Sequence, residues 1–235
     1  MRLSVPIYHL RRRAKLLARE EKLPLHEALD RIARAEGFAA WSALSARMAM
    51  HAPPGALLSR LAEGDMLLLG ARPGQGKTRM GLQLLLDAVR AGRRAVFFTL
   101  EYRADEVLRL LRTLDGAAAG HAPEIVTSNE ISADYIVQYL SDAPRGTVAV
   151  IDYLQILDQQ RSKPALSEQL RVLNGFARES GTVFGFLSQI DRAFDPGRDS
   201  LPGLGDIRLP NPIPAGMFSK TCFLHGGEAR LQHLA

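Results

Sequence analysis

The sequence predicts an α/β fold: a mainly parallel sheet flanked by helices, preceded by a small α-helical N-terminal bundle. Three observations predict it. From residue 56 onward short apolar runs alternate with amphipathic segments, as parallel strands joined by crossover helices require. Residues 70–78 read Gly-Ala-Arg-Pro-Gly-Gln-Gly-Lys-Thr and fit the phosphate-loop pattern G-x-x-x-x-G-K-[ST] at every defined position. The first fifty residues instead space their apolar side chains at helical intervals in a basic background.

Two domains are expected, residues 1–52 and 56–235. In the first, Ile7, Leu10, Ala14 and Leu17 mark one helix whose other positions include Arg11, Arg12, Arg13, Lys15 and Arg19. Pro24 opens a second helix carrying Leu25, Leu29 and Ile32, which Glu36-Gly37 closes. Trp41, Leu44 and Met48 form a third stripe, with Trp41 read as core in preference to a base-stacking platform. Helix, Gly-containing turn and helix over 25–49 suit either helix-turn-helix DNA binding or a docking bundle, and the pattern does not choose. His51-Ala52-Pro53-Pro54-Gly55 reads as the hinge.

In the second domain Met66–Leu69 is a buried strand, and Met80, Leu82, Leu84, Leu85, Ala88 and Val89 give a helix that ends at Gly92. Strands follow at 95–100, 125–126, 147–151 and 182–187, with helices at 104–113, 132–141 and 166–180. Residues 193–216, crowded with Pro, Gly and Asp, read as a long loop. Terminal strands near 218–224 and 229–233 flank the turn His225-Gly226-Gly227-Glu228.

The loop at 70–78 needs its residue types for definite reasons. Gly70, Gly74 and Gly76 are expected to let the backbone turn its N–H groups inward around phosphate oxygens. Lys77 brings an ammonium to the β- and γ-phosphates, and Thr78 offers a hydroxyl to Mg²⁺. Pro73, Gln75 and Arg79 complete the candidate nucleotide-binding stretch. Three strands then end in polar groups suited to one site. Asp152 supplies a carboxylate for Mg²⁺, Glu101 can act as general base on an attacking water, and Gln189 can sense the γ-phosphate. That set favours ATP hydrolysis over transfer to a small molecule.

Composition limits the remaining classes. The chain has 235 residues, 46% of them hydrophobic, and a single cysteine, Cys222. A lone cysteine excludes an internal disulfide, and Cys222 reads as a small buried apolar residue. No signal-peptide pattern or membrane-length apolar run is present, so a cytoplasmic protein without a membrane role is expected. The first fifty residues carry ten Lys/Arg against five Asp/Glu, whereas the remaining 185 are neutral. The whole excess of +5 therefore lies in the bundle, which fits a polyanion partner or a solvated basic helix face.

Several of these segments together resemble the DnaB-type replicative helicases, whose C-terminal domain is a RecA-like P-loop NTPase. They are Gly64-Asp65, Ala71–Thr78, Phe97-Phe98-Thr99-Leu100-Glu101, Val150-Ile151-Asp152-Tyr153-Leu154-Gln155 and Leu187-Ser188-Gln189-Ile190-Asp191-Arg192. The resemblance covers residues 56–225 in the family's motif order. It implies ATP and Mg²⁺ as cofactors, with Lys77 and Thr78 on phosphate and metal, Asp152 on metal, Glu101 as catalytic base and Gln189 as γ-phosphate coupler. It further implies a homo-oligomeric ring, hexameric in the family, around single-stranded DNA. Loops at 158–165 and 193–214 would face that channel, making Arg161, Lys163 and Arg198 candidate phosphate contacts, with Arg11, Arg12 and Arg13 as candidates in the bundle. Two departures stand out. A fifty-residue bundle replaces the family's larger N-terminal domain, and Cys222-Phe223-Leu224-His225-Gly226 lacks the basic residues that reach a neighbour's ATP site, leaving Lys220 or Arg230 as substitutes. A nucleotide-dependent switch or adaptor that unwinds nothing is the alternative these departures favour.

Overall fold

A computed structural model describes residues 4, 7–44, 57–115, 122–158, 164–191, 193–195, 202–207, 216–225 and 228–234. Helices α1 (Ile7–Glu20) and α2 (Leu25–Ala35) pack against each other, and residues 41–44 begin a further helical turn. Leu10, Ala33, Trp41 and Leu44 make their common core, so Trp41 is a core residue as expected. Its backbone N–H donates to the Asp30 carboxylate at 2.8 Å. On α2 Leu29 and Ile32 pack against this core as expected and Ala28 and Ala33 are buried, whereas Leu25 is 41% exposed. The proposed hinge at 51–55 and Met48 lie outside the described residues.

The α/β part follows the expected order. Strand β1 (Met66–Ala71) leads through the phosphate loop to α3 (Lys77–Arg90) and β2 (Ala95–Thr99). Helix α4 (Ala104–Asp115), β3 (Glu124–Val126), α5 (Ala133–Tyr139), β4 (Val148–Asp152), α6 (Leu166–Ser180) and β5 (Val183–Gln189) come next. Strands β6 (Lys220–His225) and β7 (Glu228–His233) end the chain. Among the described residues the sheet has seven strands in the order β3-β2-β4-β5-β1-β6-β7, all parallel except β7. Of the 193–216 segment, residues 193–195, 202–207 and 216 are described, and within them Leu204–Asp206 forms a short 3-10 turn. Ile207 bridges Ile190, and the Asp191 N–H donates to the Asp206 carbonyl at 2.7 Å.

Both faces of the sheet are covered, which explains why its central strands read as unbroken apolar runs. Leu67, Leu69, Phe97, Val150 and Leu187 face α3 and α4, while Leu68, Phe98, Ile151, Phe184 and Phe186 face the α5–α6 side. Cys222 sits in the first of these layers, and burial pushes its thiol up to about 12, as expected of a structural cysteine. No described helix is long and apolar enough to cross a membrane.

One glycine has a different task from the one its motif position suggests. Gly70 lies inside β1 with ordinary strand backbone, and only Gly74 (φ +74°) and Gly76 (φ +89°) turn the loop. A Cβ on Gly70 would come within 2.5 Å of the Phe223 ring on β6. Gly70→Ala is therefore expected to cost about 1–3 kcal/mol in urea unfolding. A second change, Phe223→Leu, should recover part of that loss. An undiminished stability for Gly70→Ala alone would refute the clash.

Candidate nucleotide site

Parallel strands place their C-terminal ends on one edge, and the polar strand-ends gather there. Thr99 pairs with Asp152, Asp152 with Leu187, and Ala71 with Gln189, so β2, β4, β5 and β1 end at one level. The loop after β1 rises over this edge and enters α3 through Gly76 in a left-handed conformation that only glycine adopts freely. Lys77 and Thr78 are the first two residues of α3, both buried, and the helix N-terminus behind them favours an anion.

The cluster is compact. Lys77 Nζ lies 3.7 Å from Glu101 Oε2 and 3.9 Å from Asp152 Oδ1. The Thr78 hydroxyl donates to Asp152 Oδ2 at 3.1 Å. Asp152 is wholly buried, and its Oδ1 has no hydrogen-bond partner. Burial raises its carboxyl to about 6, with Lys77 opposing the rise and the neighbouring Glu101 adding to it. A buried carboxylate oxygen without a donor, beside a hydroxyl, is a hard-oxygen pair that fits Mg²⁺. Glu101 sits just beyond β2 and is about one-third exposed, with its backbone N–H donating to the Thr99 hydroxyl at 3.1 Å. Gln189 stands at the end of β5 beside the loop, and the Gln155 amide donates to Ser188 at 3.4 Å, tying the ends of β4 and β5.

The structure thus brings together Lys77, Thr78, Glu101 and Asp152, with Gln189 on the same edge. Pro73, Gly74, Gln75 and Gly76 form the loop, while Gly70 lies below it in β1. Arg79 follows on α3, with Nε and one terminal nitrogen buried and unpartnered. Arg161, Lys163 and Arg198 lie outside the described residues. Arg12 and Arg13 are exposed on α1, and Arg11 is half-buried. Lys220 cannot serve as a cation at this edge. It pairs with Asp65 at the opposite end of β1, where both are largely buried. Burial opposes ionisation of Asp65, but hydrogen bonds from Lys220, Ser219 and the Ala62 N–H together hold its carboxyl below the ordinary value. Arg230 is exposed on β7, opposite Phe223.

Two features escaped the sequence. Tyr102 hydrogen-bonds Thr78, and burial raises its phenol above the ordinary value. Its position next to Glu101 was the one available signal. Arg72 of the loop donates to the Phe194 carbonyl, and its guanidinium lies 5.6 Å from the centre of the Phe194 ring. That ring meets His225 edge-on at 5.5 Å. Burial pushes the His225 imidazole down to about 4, and Arg11 and Arg72 push it the same way, so it is neutral near pH 7.

Comparison with known proteins agrees with this architecture. The chain is 25% identical over 180 residues to a probable plasmid replicative DNA helicase of Chlamydia muridarum, covering 63% of this chain and 40% of that protein. It is 24% identical over 197 residues to the replicative DNA helicase DnaB of Mycoplasma pneumoniae, covering 67% and 42%. The chain therefore spans about two fifths of the length of the curated relatives it matches. Among solved structures it resembles an ATPase domain (TM-score 0.60, 21% identity, 73% of this chain and 74% of that one). It also resembles a DnaB-like replicative helicase (TM-score 0.60, 22% identity, 74% and 51%). No family model matches the chain. The fold is that of a RecA-like ATPase domain, and the sequence similarity is to DnaB-type replicative helicases.

The unsatisfied carboxylate has a measurable consequence. The folded carboxyl titrates at about 6, above its ordinary 3.8, so the folded state holds the proton more tightly than the unfolded chain does. Its ionisation therefore weakens the fold fully above about pH 6, progressively less as the pH falls, and not at all below about pH 4. Without metal or nucleotide, Asp152→Asn should raise stability near pH 7.5 by roughly 1–3 kcal/mol. The gain should vanish near pH 4. Urea titrations at both pH values measure this, and a variant less stable than the parent at pH 7.5 would contradict it.

Proposed function

We propose that this chain is a cytoplasmic Mg²⁺-dependent ATPase of the RecA-like, DnaB-helicase type that acts on DNA as a homo-oligomeric ring. The observation that carries the reading is the convergence of Lys77, Thr78, Glu101 and Asp152 within hydrogen-bond or ion-pair reach of one another. The similarity to replicative DNA helicases supports DNA as the partner.

In the proposed reaction the loop N–H groups and the α3 N-terminus bind the phosphates of ATP. Lys77 swings from its two carboxylates to the β- and γ-phosphate oxygens. Thr78 and Asp152 would hold Mg²⁺, whose positive charge would favour the phosphates. Glu101, released from Lys77, accepts the proton of the water that attacks the γ-phosphorus in line, while the bond to the ADP oxygen breaks. Gln189 orients that water and reports the γ-phosphate to the neighbouring loop. Lys77 serves as a placeholder cation, keeping Glu101 and Asp152 compatible until nucleotide arrives.

A stabilising cation from a neighbouring subunit is part of the ring proposal. Lys220 is excluded by its pairing with Asp65, and Arg230, exposed on edge strand β7, is the remaining candidate of the two. The competing reading is a nucleotide switch that binds ATP without turnover.

The test is ATP hydrolysis with Mg²⁺, with and without single-stranded DNA. Lys77→Ala should lower turnover at least about 10²-fold. Glu101→Gln should keep ATP binding and lose about 10²–10⁴-fold in turnover. DNA-stimulated turnover that both variants abolish supports the motor. Tight binding with negligible turnover in the parent supports the switch, and full activity in Glu101→Gln overturns the base.

A further inference from the structure

Leu25, the exposed leucine of α2, does not face open solvent alone. It forms one wall of a cleft of about 570 Å³ between the N-terminal bundle and the end of β6. Arg11, Lys15 and Arg19 line it from α1, Leu25 and Leu29 from α2, and His225 from the ATPase domain. The three cations recur every four residues, which on a helix aligns them along one face about 6 Å apart. Among the described residues no Asp or Glu lines the cleft, and Lys15 and Arg19 are both exposed. The row thus brings positive charge to a cleft whose described walls hold no carboxylate, on the part of the chain that carries the whole excess of positive charge.

The floor decides what kind of anion fits. Leu25 is 41% exposed and, with the half-buried Leu29, offers apolar surface in the same cleft as the cations. Nucleic acid would satisfy the cations but leave that surface wet, and no Phe, Tyr or Trp among the described lining residues offers a base a stacking platform. A helix with acids along one side and apolar side chains beside them satisfies both.

We propose that this cleft docks an acidic amphipathic segment of a partner protein, its carboxylates on Arg11, Lys15 and Arg19 and its apolar side chains on Leu25 and Leu29. Binding is salt-sensitive, because Lys15 and Arg19 are exposed, and it also depends on the leucines. The His225 wall belongs to the same stack that holds Arg72 of the phosphate loop, so the docking site and the nucleotide site share a structural element.

The test uses the full chain and a fluorescent amphipathic peptide of Glu and Leu, with a Lys-for-Glu version and oligo-dT as comparison probes. Anisotropy should show saturable binding of the acidic peptide and none of the basic one. The double reversal Lys15→Glu/Arg19→Glu should weaken it about tenfold or more. Leu25→Ser should weaken it several-fold as well. ATP binding and melting temperature report that both variants stay folded. Acidic-peptide binding that neither variant alters, or no binding at all, overturns the proposal. So does oligo-dT binding that needs Lys15 and Arg19 but not Leu25, which would make the cleft a nucleic-acid track. A loss of self-association in the double reversal, with no peptide binding by the parent, would assign the cleft to a second copy of the chain and overturn it equally.

Discussion

Everything at the nucleotide site turns on one carboxylate that the fold buries without satisfying. Asp152 ends a central strand with no exposed surface, one oxygen on Thr78 and the other without a donor. Burial at that depth disfavours its charge, and the ammonium of Lys77 nearby offsets part of that penalty. The same ammonium reaches Glu101, so one cation serves two acids in the resting arrangement. An arrangement in which one group serves two partners is incomplete, and on the proposed function a nucleotide with its metal would complete it. The loop, the helix N-terminus and the four strand-ends are placed by the sheet so that this shortfall sits on one edge.

The opposite edge shows the contrast. Asp65 is another aspartate beside another lysine, 155 residues away in sequence, but there Ser219, Lys220 and the Ala62 N–H all donate to it. That carboxyl titrates below its ordinary range, whereas Asp152 titrates above. The residue types are alike, and the number of donors separates a saturated ion pair from an unsaturated one. Lys220, basic and close to the motif stretch in sequence, is thereby tied to packing and removed from catalysis.

What the sequence made legible was local. The phosphate loop, the strands that end in Glu101, Asp152 and Gln189, and the burial of Trp41 and Cys222 each follow from a short window of residues. The helix and strand boundaries fall close to the pattern for the same reason, since both faces of the sheet are covered and the strands carry unbroken apolar runs. What stayed hidden were partners brought together from afar. The Asp65–Lys220 pair, the stack of Arg72 on Phe194 on His225, and the ring of Phe223 against Gly70 join residues that no periodicity connects. Gly70 is the instructive case: its motif position was right, but an aromatic ring from another strand requires it, where a turn was expected. On α2 the periodicity places Leu29 and Ile32 correctly against the bundle core, and only Leu25, in the first turn of the helix, lies outside it.

The end of β6 shows how the two parts of the chain can influence each other without a charge relay. Where the resemblance expects two basic residues the chain places Cys222 and Leu224, and the alternate positions of the same stretch hold Phe223 and His225. Phe223 packs with Ile190 and Phe194, and His225 closes the same group from the side of the cleft. Arg72 lies against this aromatic group, so the outer side of the phosphate loop is braced by packing. Close-packed interiors transmit displacement poorly by degrees but well between discrete arrangements. A partner seated in the cleft would press on His225, and His225 reaches Arg72 of the candidate phosphate loop through the Phe194 ring. Because the imidazole is held neutral by its burial and by Arg11 and Arg72, its influence on the loop is steric. On the proposed docking, the path from the basic bundle to the candidate nucleotide site would run through the shape of this one aromatic cluster.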